Sequence, residues 1–211
     1  MLVITFDGPA ASGKSSIARV VAKKLGWNFV STGNMYRAST YLMLRRGINL
    51  KDTHEVLDFI PMLTFETPII DGEIKIYDQG EELTHELLNS QDININVSGV
   101  AQISELRKHL VSAQRRLLDL GNLVAEGRDM GSVVFTDAML KFYIDANAEV
   151  RALRRSAQGQ VDEILKRDEM DKQRKHSPLV IPEGAVVIDN SNGTLEQGVE
   201  KILKICQQYL L

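Results

Sequence analysis

From Gly8 to Ser15 the chain reads Gly-Pro-Ala-Ala-Ser-Gly-Lys-Ser. Two glycines separated by four residues, then a lysine and a hydroxyl, suit the holding of a polyphosphate. Glycine lets the backbone wrap so that successive N–H groups turn toward one phosphate. The helix expected to follow adds the positive end of its dipole. Lys14 is long enough to reach the β- and γ-phosphates, and the Ser15 hydroxyl suits Mg²⁺ arriving with the nucleotide. Gly8, Pro9, Ala10, Ala11, Ser12, Gly13, Lys14, Ser15 and Ser16 are therefore the candidate ATP-binding residues. Lys14 is a catalytic candidate and Ser15 the metal ligand. The context the motif requires is present, with the apolar run Leu2–Phe6 before it and helical spacing after it. A phosphate cradle alone does not choose among kinases, GTPases and motor ATPases. No Asn-Lys-x-Asp segment occurs, which disfavours a GTPase of the switch type.

Three other segments gather arginines and carboxylates. They are Ser31-Thr32-Gly33-Asn34-Met35-Tyr36-Arg37, Glu126-Gly127-Arg128-Asp129-Met130-Gly131-Ser132-Val133-Val134-Phe135, and Arg167-Asp168-Glu169-Met170-Asp171-Lys172-Gln173-Arg174. The first two directly follow predicted strands, and open α/β sheets bind ligands outside the carboxyl ends of their strands. A guanidinium grips a phosphate through two parallel hydrogen bonds where an ammonium offers a point charge. Several arginines beside a phosphate cradle point to a second substrate that carries a monophosphate. The four histidines, His54, His85, His109 and His176, are scattered and show no ligand spacing.

Together with Asp7-Gly8-Pro9 to Ser16, these segments resemble bacterial cytidylate kinases, a P-loop nucleoside monophosphate kinase family. The resemblance runs from end to end, and Gly127-Arg128-Asp129-Met130-Gly131 is its most family-specific piece. It implies transfer of the γ-phosphate of ATP, with Mg²⁺, to CMP or dCMP. It also implies roles for single positions. Thr32, Arg107 and Asp129 would read the cytosine edge, and Tyr36 would line the acceptor pocket. Arg37, Arg128 and Arg174 would hold the CMP phosphate, while Arg167 and Asp171 would meet the ribose hydroxyls. Arg151, Arg154 and Arg155 would belong to a lid over the nucleotide, with Arg154 and Arg155 acting on the transferring group. Thr32 stands where a serine is frequent, and the hydroxyl is retained. Only Ser156–Glu163 separates Arg155 from the second lid helix, a shorter connection than many members of the family carry. Two rival readings stay open: a P-loop kinase of another small acceptor such as UMP or shikimate, and a nucleotide-gated ATPase switch.

The elements that must carry these residues follow from pattern. Strands are expected at Leu2–Phe6, Asn28–Ser31, Leu123–Ala125, Lys141–Ile144 and Val186–Ile188. Helices are expected at Ser15–Leu25, Asn34–Arg46, Ser104–Leu120, through most of Asn147–Lys175, and after the capping box Thr194–Gln197. Strands alternating with helices predict an α/β fold, a parallel sheet wrapped by helices. Leu63–Thr67 and Ile74–Tyr77, with Pro68 and Asp71-Gly72 between them, predict a small antiparallel β-rich insert. The expected organisation is one domain, with a core of residues 1–32, 98–150 and 178–211. The acceptor-binding region with its insert covers 33–97, and a short helical lid covers 151–177.

Composition fits that reading. The 211 residues are 44% hydrophobic and 25% charged, with net charge −3, which disfavours a nucleic-acid polymer as partner. The lone cysteine, Cys206, lies in an apolar helical run and is expected to be buried filler. A single cysteine allows no disulfide within the chain and fits a reducing cytoplasm. Met1–Asp7 lacks a basic flank followed by a long apolar core, so no secretory signal is expected. No stretch approaches 18 apolar residues, so no membrane span is expected either. A monomer is the default expectation.

Overall fold

The computed structural model describes residues 1–157, 168–171, 173–174 and 177–210. Its centre is strand β1 (Val3–Asp7), all five residues of which are buried. Ile4 and Phe6 pack on one face of the sheet against Ile17 and Val21 of helix α1 (Lys14–Leu25) and Ile202 and Cys206 of the C-terminal helix. Val3 faces the opposite core, and Thr5 and Asp7 share that side by the two-residue period of a strand. Burial on both faces is what a parallel strand between two helical layers requires.

The remaining strands are β2 (Asn28–Ser31), β3 (Ile69–Ile70), β4 (Glu73–Ile74), β5 (Tyr77–Asp78), β6 (Glu81–Glu82), β7 (Leu123–Glu126), β8 (Leu140–Asp145) and β9 (Val186–Asp189). Among the described residues one sheet has the order β3-β4-β2-β7-β1-β8-β9, and β5 pairs with β6 separately. β2, β7, β1, β8 and β9 are mutually parallel, so their carboxyl ends share one edge. One helical layer contains α1 and α8 (Leu195–Leu210). The other contains α2 (Thr32–Arg45), α5 (Gln91–Val100) and α6 (Ser104–Arg116), built around Met35, Leu42, Val97, Leu106 and Leu110. Two short helices, α3 (Thr53–Phe59) and α4 (His85–Leu88), connect these elements, and α7 (Ala148–Ala157) follows β8.

α1 stops where expected: Gly26 takes a left-handed conformation at φ 68° and its N–H meets the last carbonyls of the helix. The capping box at α8 forms in both directions. Thr194 N–H donates to Gln197 Oε1 at 3.0 Å, and Gln197 N–H donates to Thr194 Oγ1 at 3.3 Å. Cys206 is fully buried, and burial pushes its thiol up to about 11. No helix among the described residues is long and apolar enough to cross a membrane.

The insert is antiparallel and β-rich as expected, but its strands fall elsewhere. Leu63–Thr67 is not a strand and contributes only a single bridge, Glu66 to Tyr77. Leu63 is buried in the core, and Pro68 brings no N–H to a ladder. The hairpins are instead β3–β4 and β5–β6. Each turns on two left-handed residues, Asp71-Gly72 (φ 53° and 75°) and Gln79-Gly80 (φ 53° and 81°), the handedness that matches strand twist. The first hairpin is not a separate sheet. β4 pairs with β2 at Phe29 and Glu73, so it extends the main sheet. The helix expected over Ser104–Leu120 is α-helical only to Arg116 and tightens into a 3₁₀ turn at Leu117–Leu120. Of the charged stretch from Asn147 to Lys175, Ala148–Ala157 and residues 168–171 are helical. The expected Ser156–Glu163 connection lies mostly outside the described residues, as does Arg167.

Candidate active site

Each parallel strand hands the chain to a functional segment at the same edge of the sheet. Gly8–Gly13 follow β1, Thr32 follows β2, Gly127–Asp129 follow β7, Ala146 follows β8 and Asn190 follows β9. Between them lies a cleft of about 940 Å³ whose lining includes Lys14, Ser15, Arg37, Arg107 and Asp129.

The phosphate loop is fixed from outside. Its Ser12 carbonyl accepts from Asn190 Nδ2 at 2.8 Å and from Arg154 Nη1 at 3.3 Å, while Arg154 Nη2 donates to Asn190 O at 2.8 Å. Arg151, buried, donates to Ala10 O at 3.2 Å, to Ala146 O at 2.9 Å and to Asp168 at 2.5 Å. Lys14 Nζ donates to Pro9 O at 3.1 Å and lies 3.9 Å from Glu126. Ser15 and Ser16 begin α1 beside it.

The two glycines are there for space as well as for torsion. Gly8 has φ 147°, and a Cβ on it would sit 2.1 Å from the Ile144 carbonyl oxygen. Gly13 has φ 91°, and its Cβ would sit 2.4 Å from Asn190 Nδ2. Gly8→Ala should therefore push the loop off β8. The expected cost is about 1–3 kcal/mol of unfolding free energy, with loss of ATP binding, measured by thermal unfolding and nucleotide titration. Gly33→Ala is the control, because a Cβ there meets nothing within 4 Å; it should leave Tm unchanged or slightly raised.

In the same cleft, Arg107 on α6 donates to Asp129 at 2.6 Å and to the Ala101 carbonyl, and both side chains are buried. Its guanidinium also lies over the Tyr36 ring, 5.1 Å from the centroid, a cation–π contact inside the protein. Burial raises the Tyr36 hydroxyl well above its ordinary range, so it stays a neutral phenol. Thr32 Oγ1 donates to the Glu126 carbonyl at 2.9 Å. Arg128 donates to Asp171 at 2.8 Å, and Arg174 bonds the other oxygen of the same carboxylate. Burial works against the charge of both arginines. For Arg128 the Asp171 carboxylate outweighs it and holds the group above its usual range, whereas Arg174 ends below. Both remain cations at any working pH. Arg37 faces the same cleft, donating to the Leu88 carbonyl and Asn94, each at 2.8 Å.

The fold thus brings Lys14, Ser15, Thr32, Tyr36, Arg37, Arg107, Arg128, Asp129, Arg154, Arg155, Asp171 and Arg174 to one cleft. Three participants were not evident from the sequence. Asn190 holds the phosphate loop, Glu126 faces Lys14 and Ser31, and Asp7 accepts from the Met130 and Gly131 amides. Each ends or directly follows a parallel strand, which was the one signal available. Met130–Val134, directly after Asp129, forms a π-helical turn, a form met often at functional sites.

A mostly parallel sheet with a glycine-rich loop between its central strand and the next helix is the P-loop NTPase fold. Solved structures agree at the level of fold. A sugar kinase from Janibacter superposes with a TM-score of 0.53 at 15% identity, covering 98% of this chain and 95% of that one. A gluconokinase from Sinorhizobium meliloti gives 0.52 at 13% identity, covering 99% and 93%. Sequence comparison is more specific. Residues 4–208 match the family model described as cytidylate kinase. The cytidylate kinase of Chlamydia felis is 41% identical over 97% of each chain. That of Caldanaerobacter subterraneus subsp. tengcongensis is 40% identical, covering 94% of this chain and 92% of the relative. The chain belongs to the cytidylate kinase family.

Proposed function

We propose that this protein transfers the γ-phosphate of ATP to CMP or dCMP, yielding ADP and CDP or dCDP. The observation that carries this reading is the buried Arg107–Asp129 pair lining the same cleft as the phosphate loop. A carboxylate there can accept from the exocyclic amine of cytosine, a donor that uracil lacks. The guanidiniums of Arg37, Arg128 and Arg174 face the same space and suit the acceptor phosphate, with Asp171 left to meet ribose hydroxyls. Arg167 is proposed for the ribose on the resemblance alone.

In the reaction an oxygen of the CMP phosphate forms a bond to the γ-phosphorus while the bond from that phosphorus to the β,γ-bridging oxygen breaks. The electron pair leaves on ADP. The acceptor phosphate is already a nucleophile, so no side chain need remove a proton. What the protein must supply is alignment and neutralisation of charge on the equatorial oxygens. Lys14 and the N-terminal amides of α1 meet the ATP phosphates. Arg154 and Arg155 approach from α7.

Mg²⁺ fits this donor set. It prefers oxygen ligands and keeps several waters, binding mainly through phosphates. The Ser15 hydroxyl beside Lys14 offers one protein oxygen, and no cluster of three or more His, Cys, Asp or Glu residues exists among the described residues to form a cage. Bound there, it would neutralise charge on the β- and γ-oxygens. All the groups invoked come from one chain, so the reading needs no second copy.

Coupled detection of ADP release with ATP and Mg²⁺ held constant, against CMP, dCMP, UMP and shikimate in turn, tests the proposal. Turnover should rise sharply with CMP or dCMP and much less with UMP. An equal rate with no acceptor would mark an ATPase, and a preference for UMP or shikimate would mark another kinase. Arg155→Ala should lower kcat by about 100-fold, the cost typical of removing one group that stabilises transition-state charge. The KM for CMP should move little, because the acceptor does not depend on that arginine; steady-state kinetics in both substrates measures the split.

A further inference from the structure

We propose that Asp7 is a positioning residue that sets the acceptor-base preference, by clamping the segment that carries Asp129 onto the central strand. This rests on the reading of CMP as acceptor. Asp7 is the last residue of β1 and is fully buried. One carboxylate oxygen accepts from the Met130 amide at 2.7 Å and the other from the Gly131 amide at 2.8 Å, contacts that span more than a hundred residues of sequence. The Met130 nitrogen belongs to the same planar peptide unit as the Asp129 Cα and carbonyl. Gripping that N–H therefore fixes where the Asp129 side chain starts. Packing closes the other directions. A Cβ on Gly131 would meet Thr5 Oγ1 at 2.9 Å, and a Cβ on Gly127 would meet Thr32 Oγ1 at 2.6 Å. The segment is held against both β1 and α2, with the Phe6 carbonyl accepting from the Gly127 amide and Asp7 accepting from the Met130 and Gly131 amides.

The same residue immediately precedes Gly8, so one side chain joins the phosphate loop to the acceptor-reading loop. It also carries a charge that can change. The charged and titratable groups acting on it are Lys14, Asp129 and Tyr143, the last beside it in the β1–β8 register. Burial pushes its carboxyl up to about 7, against the pull of the two amides. As a carboxylate it accepts from both amides. Protonated, it carries the proton on one oxygen, which becomes a much weaker acceptor for the N–H it faces. Base discrimination is then strongest above about pH 7 and weakens below it.

The test measures kcat/KM for CMP and for UMP, and KM for ATP, in the wild type, Asp7→Asn and Asp7→Glu. The CMP/UMP ratio cancels the titration shared by the two monophosphates. The Asn side chain keeps the shape but turns an NH₂ toward one amide. Its ratio should fall about tenfold, the scale of a sub-ångström misplacement, while the ATP KM moves much less. Asp7→Glu keeps the charge in a shifted position and should lose part of the ratio. In the wild type the ratio should fall several-fold from about pH 8 to about pH 6, and in Asp7→Asn it should be flat. An unchanged ratio in Asp7→Asn, or a raised ATP KM with the ratio intact, overturns the proposal and leaves Asp7 a support of the phosphate loop alone. Should Asp7→Asn not fold, the wild-type pH series decides: a flat ratio overturns the proposal and a falling one supports it. A wild type that does not prefer CMP at all refutes the underlying reading of the acceptor, which is a separate outcome.

Discussion

Replacing Lys14 by alanine should lower kcat by about three orders of magnitude or more, with CMP affinity changed by no more than about threefold. Lys14 lies within the phosphate loop, its ammonium on the Pro9 carbonyl and near Glu126, whereas Arg107 and Asp129 pair with each other in the same cleft. On the proposed reading its charge would face oxygens that gain electron density as the γ-phosphoryl group moves. Removing it also takes an ion-pair partner from buried Glu126, so Tm should be followed alongside to separate unfolding from lost chemistry. Single-turnover kinetics and direct CMP titration measure the two quantities independently. A variant retaining more than about a tenth of normal kcat would remove Lys14 from the transition state.

Asp129 carries the second large effect. Asp129→Ala should cut the CMP/UMP ratio of kcat/KM by roughly 100-fold, since sites that hydrogen-bond a substrate group reject analogues lacking it. The substitution has a structural cost too. It leaves the Arg107 guanidinium buried without its carboxylate, a loss of about 3–5 kcal/mol for a pair of this kind. Asp129→Asn separates the two consequences. Its amide oxygen can still accept from Arg107, so most stability should survive while base choice collapses. Arg128→Ala should behave differently, weakening CMP and UMP alike, because its guanidinium pairs with Asp171 and would meet the phosphate they share. An unchanged CMP/UMP ratio in both Asp129 variants would remove the base-reading role.

What was legible in the sequence and what was not divides along physical lines. The phosphate loop, α1 and the five parallel strands are written in local pattern, and local pattern is what residue order reports. The capping box at Thr194 is likewise contained in four residues. Arg107 is different. Nothing on α6 distinguishes it from Lys108 or Arg115, and only resemblance to the family singled it out; its burial against Tyr36 and Asp129 appears once α2, α6 and the segment after β7 are assembled. Asp7 and Glu126 stood inside the segments singled out but with no role assigned, and Asn190 was not singled out, because each acts through a partner far along the chain. The insert is antiparallel as expected, but its strand bounds were misplaced because two-residue strands leave almost no periodicity. The Asp71-Gly72 turn was the stronger signal, and it marks the hairpin that joins the main sheet.

The most direct measurement of the central claim is product identity by phosphorus NMR, with the protein, ATP, Mg²⁺ and CMP in one tube. The account predicts resonances of CDP and ADP growing together at equal rates while CMP and ATP decline. Growth of inorganic phosphate and ADP without CDP would contradict it.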